Sequence, residues 1–174
     1  MMNTSFPLVR LRALEPEDLD LLYTIENDED IWDVSETNTP MSKFAIRQYL
    51  AAQPQEALQS GEIRLVVEDL ATSRAVGLID LTDISILNRR GEIGIALLKE
   101  ERGRGYGTAA LRLMETYAKK NLRLRFLYCK ISAHHNPNSK SLFESSGYKQ
   151  IAVLPEWHYR EDGYEDLVLY QKKL

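Results

Sequence analysis

Three glycines in five residues, Gly103, Gly105 and Gly107, are interleaved with Arg102, Arg104 and Tyr106 and run into the amphipathic stretch that begins at Thr108. Glycine has no Cβ, so several backbone N–H groups can converge on one point, and at a helix start such a point attracts anions. Arg102 and Arg104 add positive charge beside it. The pattern reads as a phosphate-type anion site or, at its plainest, as a flexible turn. Two common phosphate motifs are excluded. No Gly-Lys-Ser/Thr is present, and a Gly-x-Gly-x-x-Gly dinucleotide fingerprint would need glycine where Thr108 stands.

Other reactive residues are few. Cys129 is the single cysteine. It excludes an internal disulfide and lies in an apolar run that reads as a buried strand, where a structural thiol is expected. His134 and His135 fall at a strand-to-helix junction and His158 in the polar, aromatic stretch 156–165. Each is a candidate base or acceptor-site residue, or else a cap or loop residue in contact with water. Their spacing matches no metal motif, and no metal is predicted. Residues 26–36 hold six acids (Glu26, Asp28, Glu29, Asp30, Asp33 and Glu36) around Trp32, with no lysine or arginine. Such a run is either a solvated acidic helix end and loop or a surface that draws cations by charge and by cation–π contact.

Composition sets the outer bounds. A formal charge of -4 argues against a nucleic-acid binder. Hydrophobic residues at 44% and charged residues at 28% suit a soluble chain with a real core. Residues 1–12 lack an apolar signal-peptide region, and no run approaches the ~18 apolar residues of a membrane span. A cytoplasmic protein without membrane or nucleic-acid partners is expected. Its 174 residues read as one domain, 1–174.

The elements that must position these residues follow from periodicity. Residues 8–14 alternate as a strand. Pro16 opens a first helix, and Ser42 caps a second that runs to about residue 59. Strands follow from residue 63, from 76 to 81 and from 91 to 98, with a turn at 71–74. A helix over 108–120 buries Leu111, Met114 and Ala118, with Ala110, Leu113 and Tyr117 alongside. A strand over 126–133 leads to Asn136-Pro137, an N-cap and N1 pair, and a short helix that ends before Gly147. Two last strands are predicted at 150–155 and 166–171, joined by 156–165.

Read together, these segments resemble the GNAT superfamily of N-acetyltransferases. Arg102-x-x-Gly105-x-Gly107 is similar to the family's pyrophosphate signature, and Asn136-x-x-Ser139, Leu142-Phe143 and Gly147-Tyr148 to its second block. The opening 11–19 and the strand Asn88-Arg89-Arg90-Gly91-Glu92-Ile93-Gly94-Ile95 look like the family's first elements and the strand before the loop. Within it, the Asn-Arg-Arg-x-Glu strand most resembles the branch of spermidine acetyltransferases and RimJ/RimL-type enzymes.

The resemblance implies a mixed α/β fold: a mostly antiparallel sheet with one splayed parallel pair and flanking helices. It implies acetyl-CoA as co-substrate and direct transfer to a primary amine, of a polyamine, another small amine or a protein N-terminus. Backbone groups of Ile95, Ala96 and Leu97 would pair with the pantetheine. The N–H groups of Arg102, Gly103, Arg104, Gly105, Tyr106, Gly107 and Thr108 would hold the pyrophosphate, with Asn136 and Ser139 close to the cofactor. Glu92 stands where relatives place a carboxylate base working through water; otherwise it is a strand glutamate paired with Arg89 or Arg90. The tyrosine that many relatives use as general acid is Phe143 here, and Tyr148 is the nearby hydroxyl. The other reading is a module that binds acetyl-CoA without turnover. Self-association, as in some relatives, is compatible with either.

Overall fold

A computed structural model describes residues 6–32, 39–52, 61–160 and 163–174. The chain runs β1 (Val9–Arg12), a 3-10 turn (Pro16–Asp18), α1 (Leu19–Glu26), α2 (Glu29–Trp32), α3 (Lys43–Ala51), β2 (Ile63–Asp69), β3 (Arg74–Ser85) and β4 (Arg90–Leu97). A second 3-10 turn (Lys99–Glu101), α4 (Tyr106–Lys120), β5 (Phe126–Ser132), α5 (Pro137–Ser145), β6 (Lys149–Arg160) and β7 (Gly163–Lys173) complete it. The strands form one sheet in the order β1-β2-β3-β4-β5-β7-β6. Every neighbouring pair is antiparallel except β4–β5. That is the mixed sheet with one parallel pair expected from the sequence.

Both faces of the sheet are covered, and alternation decides which residue meets which layer. Val66 and Leu78 face one way and pack with Leu21, Leu22 and Ile25 of α1 and Ile46 of α3. Val67, Ile79, Leu81 and Ile93 face the other way, onto Ala110, Leu111, Met114 and Ala118 of α4. Leu111, Met114 and Ala118 are fully buried as the helical period predicts, whereas Leu113 turns outward at 39% exposure.

The caps read from the sequence are present. The Ser42 hydroxyl accepts from the Ala45 amide at 3.1 Å, and the Asn136 carboxamide accepts from the Ser139 amide at 3.1 Å. The stretch of the second helix expected beyond Ala51, at 53–59, falls outside the described residues.

Two expectations need correction. The run 26–36 reads as a helix end followed by loop, with no separate helix, yet Glu29–Trp32 forms a turn of helix whose first carbonyl acceptor is Asp28. The final strands also extend through most of the stretch expected to join them, as a long β6–β7 hairpin that carries Trp157, His158 and Tyr159. Pro155 and a left-handed Glu156 (φ 50°) mimic a strand end in the sequence. In the structure they form an irregularity between Leu154 and His158, after which pairing resumes. Tyr159 and Tyr164 sit opposite each other beyond it, ring centroids 5.5 Å apart.

Candidate active site

The cleft begins where the parallel pair comes apart. β4 and β5 pair at Arg90–Phe126, Gly91–Leu127 and Glu92–Tyr128. Beyond that point residues 93–97 and 129–132 diverge, because β4 stays with β3 while β5 follows β7. The gap opens into a cavity of about 310 Å³. Ile93, Gly94, Ile95 and Ala96 form one wall and Cys129, Lys130 and Ile131 the other, with Asn136, Ser139 and Phe143 of the α5 region below. Glu26, Ile31, Trp32, Arg64, Asp80 and Thr82 close it from the α1–α2 side.

Glu92 stands at the apex of the gap and lines the cavity. Its carboxylate pairs with Lys130 Nζ at 3.1 Å. Neither of the arginines beside it in sequence is its partner. Arg90 pairs with Asp83 at 2.6 Å, and Arg89 Nε donates to the Arg123 carbonyl at 2.8 Å. On the opposite wall, Arg64 bridges two acids. Its Nε and Nη2 donate to Asp80 at 3.0 and 2.9 Å, and its Nη1 to Glu26 at 2.6 Å. Burial opposes the charge on Arg64, and the two carboxylates more than restore it. Three cleft carboxylates, Glu26, Asp80 and Glu92, thus face two cations, Arg64 and Lys130. The formal excess is one negative charge.

At the end of β4 the chain passes through the glycine loop into α4. Gly105 is the N-cap with φ 87°, a left-handed conformation that suits glycine, and its side-chain-free position caps nothing. The first helical bond is Ala109 N–H to Gly105 O at 3.1 Å. The amides of Tyr106, Gly107 and Thr108 therefore precede the hydrogen-bonded ladder and point out of the helix start. At Gly107 a Cβ would stand 3.1 Å from Leu142 Cδ2, so any larger residue there would require the Leu142 side chain to give by a few tenths of an ångström. The geometry is that of a backbone anion cradle.

The two loop arginines are not free. Arg104 pairs with the buried Glu101. Arg102 donates from Nε to the Leu97 carbonyl at 3.1 Å and from its Nη atoms to Asp28 at 2.6 Å and Asp30 at 3.4 Å. Of the residues singled out in the sequence, Glu92, Ile95, Ala96, Asn136 and Ser139 converge on the cleft. Leu97 lies past it, its carbonyl held by Arg102.

None of the three histidines lines the cleft. His135 and the His134 and His135 amides hold the buried Glu165, and His158 meets Ser132 at 3.1 Å. Cys129 does border the cleft, but burial pushes its thiol well up. Phe143 presents a buried ring to the cleft, edge-on to Tyr148 at 4.9 Å. The Tyr148 hydroxyl is buried away from the cleft, and burial raises it far above the usual phenol range, with Glu115 adding to the effect. Arg64, Asp80, Thr82 and Lys130 were not identified from the sequence. Their signal is polar residues at every second position of strands that otherwise read as core.

With this geometry in place, comparison with known proteins is specific. A family model described as acetyltransferase (GNAT) domain matches residues 9–149. Spermidine N(1)-acetyltransferase of Vibrio cholerae serotype O1 is 27% identical over 163 residues, covering 90% of this chain and 88% of that protein. The putative ribosomal N-acetyltransferase YdaF of Bacillus subtilis is 29% identical over 168 residues, covering 93% and 89%. A crystal structure of the Vibrio cholerae spermidine N-acetyltransferase with CoA and spermine superposes with a TM-score of 0.85 at 24% identity, over 95% of each chain, and so shares the fold. No helix among the described residues is long and apolar enough to cross a membrane.

Proposed function

The chain belongs to the GNAT acetyltransferase family and uses acetyl-CoA as co-substrate, and from that premise we propose that it acetylates a cationic primary amine of polyamine type, with Glu92 as the base. The observation that carries this reading is Glu92 at the apex of the β4–β5 gap, inside a cleft with excess negative charge. The relatives named for spermidine acetylation support the acceptor class.

Acetyl-CoA brings the activated thioester. The uncapped amides of Tyr106, Gly107 and Thr108 fit its pyrophosphate, and the unpaired edge of β4 at Ile95 and Ala96 fits the pantetheine arm. Arg102, Gly103, Arg104 and Gly105 supply further backbone to the same loop, and Asn136 and Ser139 flank the arm from α5.

An alkylammonium with a pKa near ~10.4 must lose a proton before it can attack. Glu92 takes that proton, directly or through one water, and the neutral nitrogen attacks the thioester carbonyl carbon. The C–N bond forms, the C–S bond breaks with its electron pair leaving on sulfur, and the second proton on the acylated nitrogen passes to solvent to give the neutral amide. A thiol with a pKa near ~8.5 leaves as thiolate without a general acid, so Phe143 is compatible with turnover. Retention of a carboxylate in the cleft favours the enzyme over a module that only binds acetyl-CoA. We place the enzyme in the cytoplasm, where acetyl-CoA is held.

Mass spectrometry of a reaction with acetyl-CoA and spermidine tests the reading: a monoacetylated polyamine supports it. Acetylation of an N-terminal peptide in preference to spermidine would move the acceptor to the protein class.

A further inference from the structure

Asp28 stands between the phosphate loop and the acceptor wall and has a contact on each side. Asp28 uses Oδ1 to accept the Asp30 amide at 3.0 Å, and its carbonyl accepts the amides of Ile31 and Trp32 at 2.9 and 3.1 Å. It thereby starts α2. Its Oδ2 takes Arg102 Nη2 at 2.6 Å, across 74 residues of sequence. Asp30 adds to the same junction, pairing with Arg102 at 3.4 Å and with Lys99 at 2.8 Å. Arg102 is fixed from behind as well, through Nε to the Leu97 carbonyl.

What α2 carries makes this junction matter. Ile31 and Trp32 both line the cleft, and the Trp32 indole donates to the Glu26 carbonyl at 2.7 Å. Glu26 in turn grips Arg64 on the acceptor side. The short helix α2 has no buried residue and too few residues to hold itself together. Ile31 packs at the edge of the core under α1 and α3 and the Trp32 indole holds Glu26, while Asp28 and Asp30 tie the helix to the loop, Asp28 by the shorter contact to Arg102.

We propose that Asp28 is a positioning residue that fixes the acceptor wall to the phosphate loop, and that the Arg102 side chain serves this tie rather than the phosphates of the cofactor. Three of the five guanidinium N–H donors are held by the protein, and redirecting the group to a phosphate would cost those contacts. The loop then meets the pyrophosphate through backbone N–H groups, while its arginine holds Ile31 and Trp32 in place. This inference rests on the reading of the cleft as a site for acetyl-CoA and an amine.

Asn at position 28 separates the two duties, because Asn caps a helix as well as Asp does but carries no charge for Arg102. For Asp28→Asn the expected result is an acceptor KM raised about tenfold, with kcat and the acetyl-CoA Kd each within about twofold of wild type. Hydrogen exchange at the Ile31 and Trp32 amides speeds up. Arg102→Gln gives the same pattern, and the double variant adds nothing beyond either single one, as expected for two ends of one contact. Asp28→Glu, which keeps the charge, recovers part of the acceptor KM.

A loss of acetyl-CoA affinity of tenfold or more in Arg102→Gln, with a flatter salt dependence, would overturn the proposal by assigning the side chain to phosphate. Unchanged exchange at Ile31 and Trp32 in Asp28→Asn would overturn it too. Cofactor binding and hydrogen exchange need no acceptor. A wrong acceptor assignment would therefore leave both readouts intact and appear only as missing turnover with polyamines.

Discussion

The carboxylate of Glu92 lies 3.1 Å from the ammonium of Lys130, across the parallel β4–β5 pair at the point where its pairing stops. The pair holds the proposed base at the apex of the cleft with its side chain only 21% exposed. Glu92→Gln is close to isosteric and cannot take a proton. Its kcat is expected to fall about 100-fold, the scale of a positioned general base. The acetyl-CoA Kd, measured by calorimetry, is expected to stay within about twofold. Unchanged turnover across the pH range would remove Glu92 from the mechanism.

Phe143→Tyr tests whether the leaving thiol needs an acid. The ring borders the cleft and is buried edge-on against Tyr148, and thermal unfolding of the variant checks that the site accepts the hydroxyl. Departure as thiolate predicts a kcat within about threefold of wild type, given a thiol pKa near ~8.5. A rise of tenfold or more in steady-state rate would mean that protonation of sulfur limits the native enzyme.

Gly105→Ala probes the cradle. Position 105 has φ 87°, and a Cβ there would stand 3.1 Å from Pro7 Cδ. The left-handed conformation costs an L-residue about 1–2 kcal/mol. Thermal unfolding is expected to shift down by a corresponding few degrees. Calorimetric acetyl-CoA affinity is expected to drop about tenfold, as the loop relaxes away from the conformation that presents its amides.

Stability carries a pH signature at Glu165. Burial alone raises this carboxyl. The His134 and His135 amides, the His135 ring and Arg160 more than reverse that, leaving it at about 2 in the folded chain. A depressed carboxyl stabilises the fold above its unfolded pKa, and the contribution is lost as pH falls from near 4.5 through about 2. The full contribution is roughly 3 kcal/mol. Denaturant unfolding at pH 6 and pH 3 is expected to show the wild type losing much of that amount. Glu165→Gln starts less stable and loses less between the two. Equal pH slopes for the two proteins would refute the assignment.

Much of the architecture was legible in the sequence because it rests on local rules. Ser42 and Asn136 cap as their residue types demand, and the sheet alternation and the buried face of α4 follow from residue periods. Glu92, Ile95, Ala96, Asn136 and Ser139 line one cleft. The partners were not legible. Lys130 meets Glu92 only because β5 lies parallel to β4, and Arg64 meets Asp80 and Glu26 only through the β2–β3 register and the position of α1. Period two tells which face a side chain takes but not which strand stands beside it. The same gap hid the Arg102–Asp28 pair, and the Pro155–Glu156 irregularity disguised one long hairpin as two short strands.

The most direct test of the proposed reaction follows free-thiol release from acetyl-CoA, with spermidine, spermine, basic N-terminal peptides and small monoamines offered in parallel. Saturable release with the polyamines, largely abolished in Glu92→Gln, is the predicted result. Release with peptides alone, or none above hydrolysis from protein that binds acetyl-CoA, would contradict it.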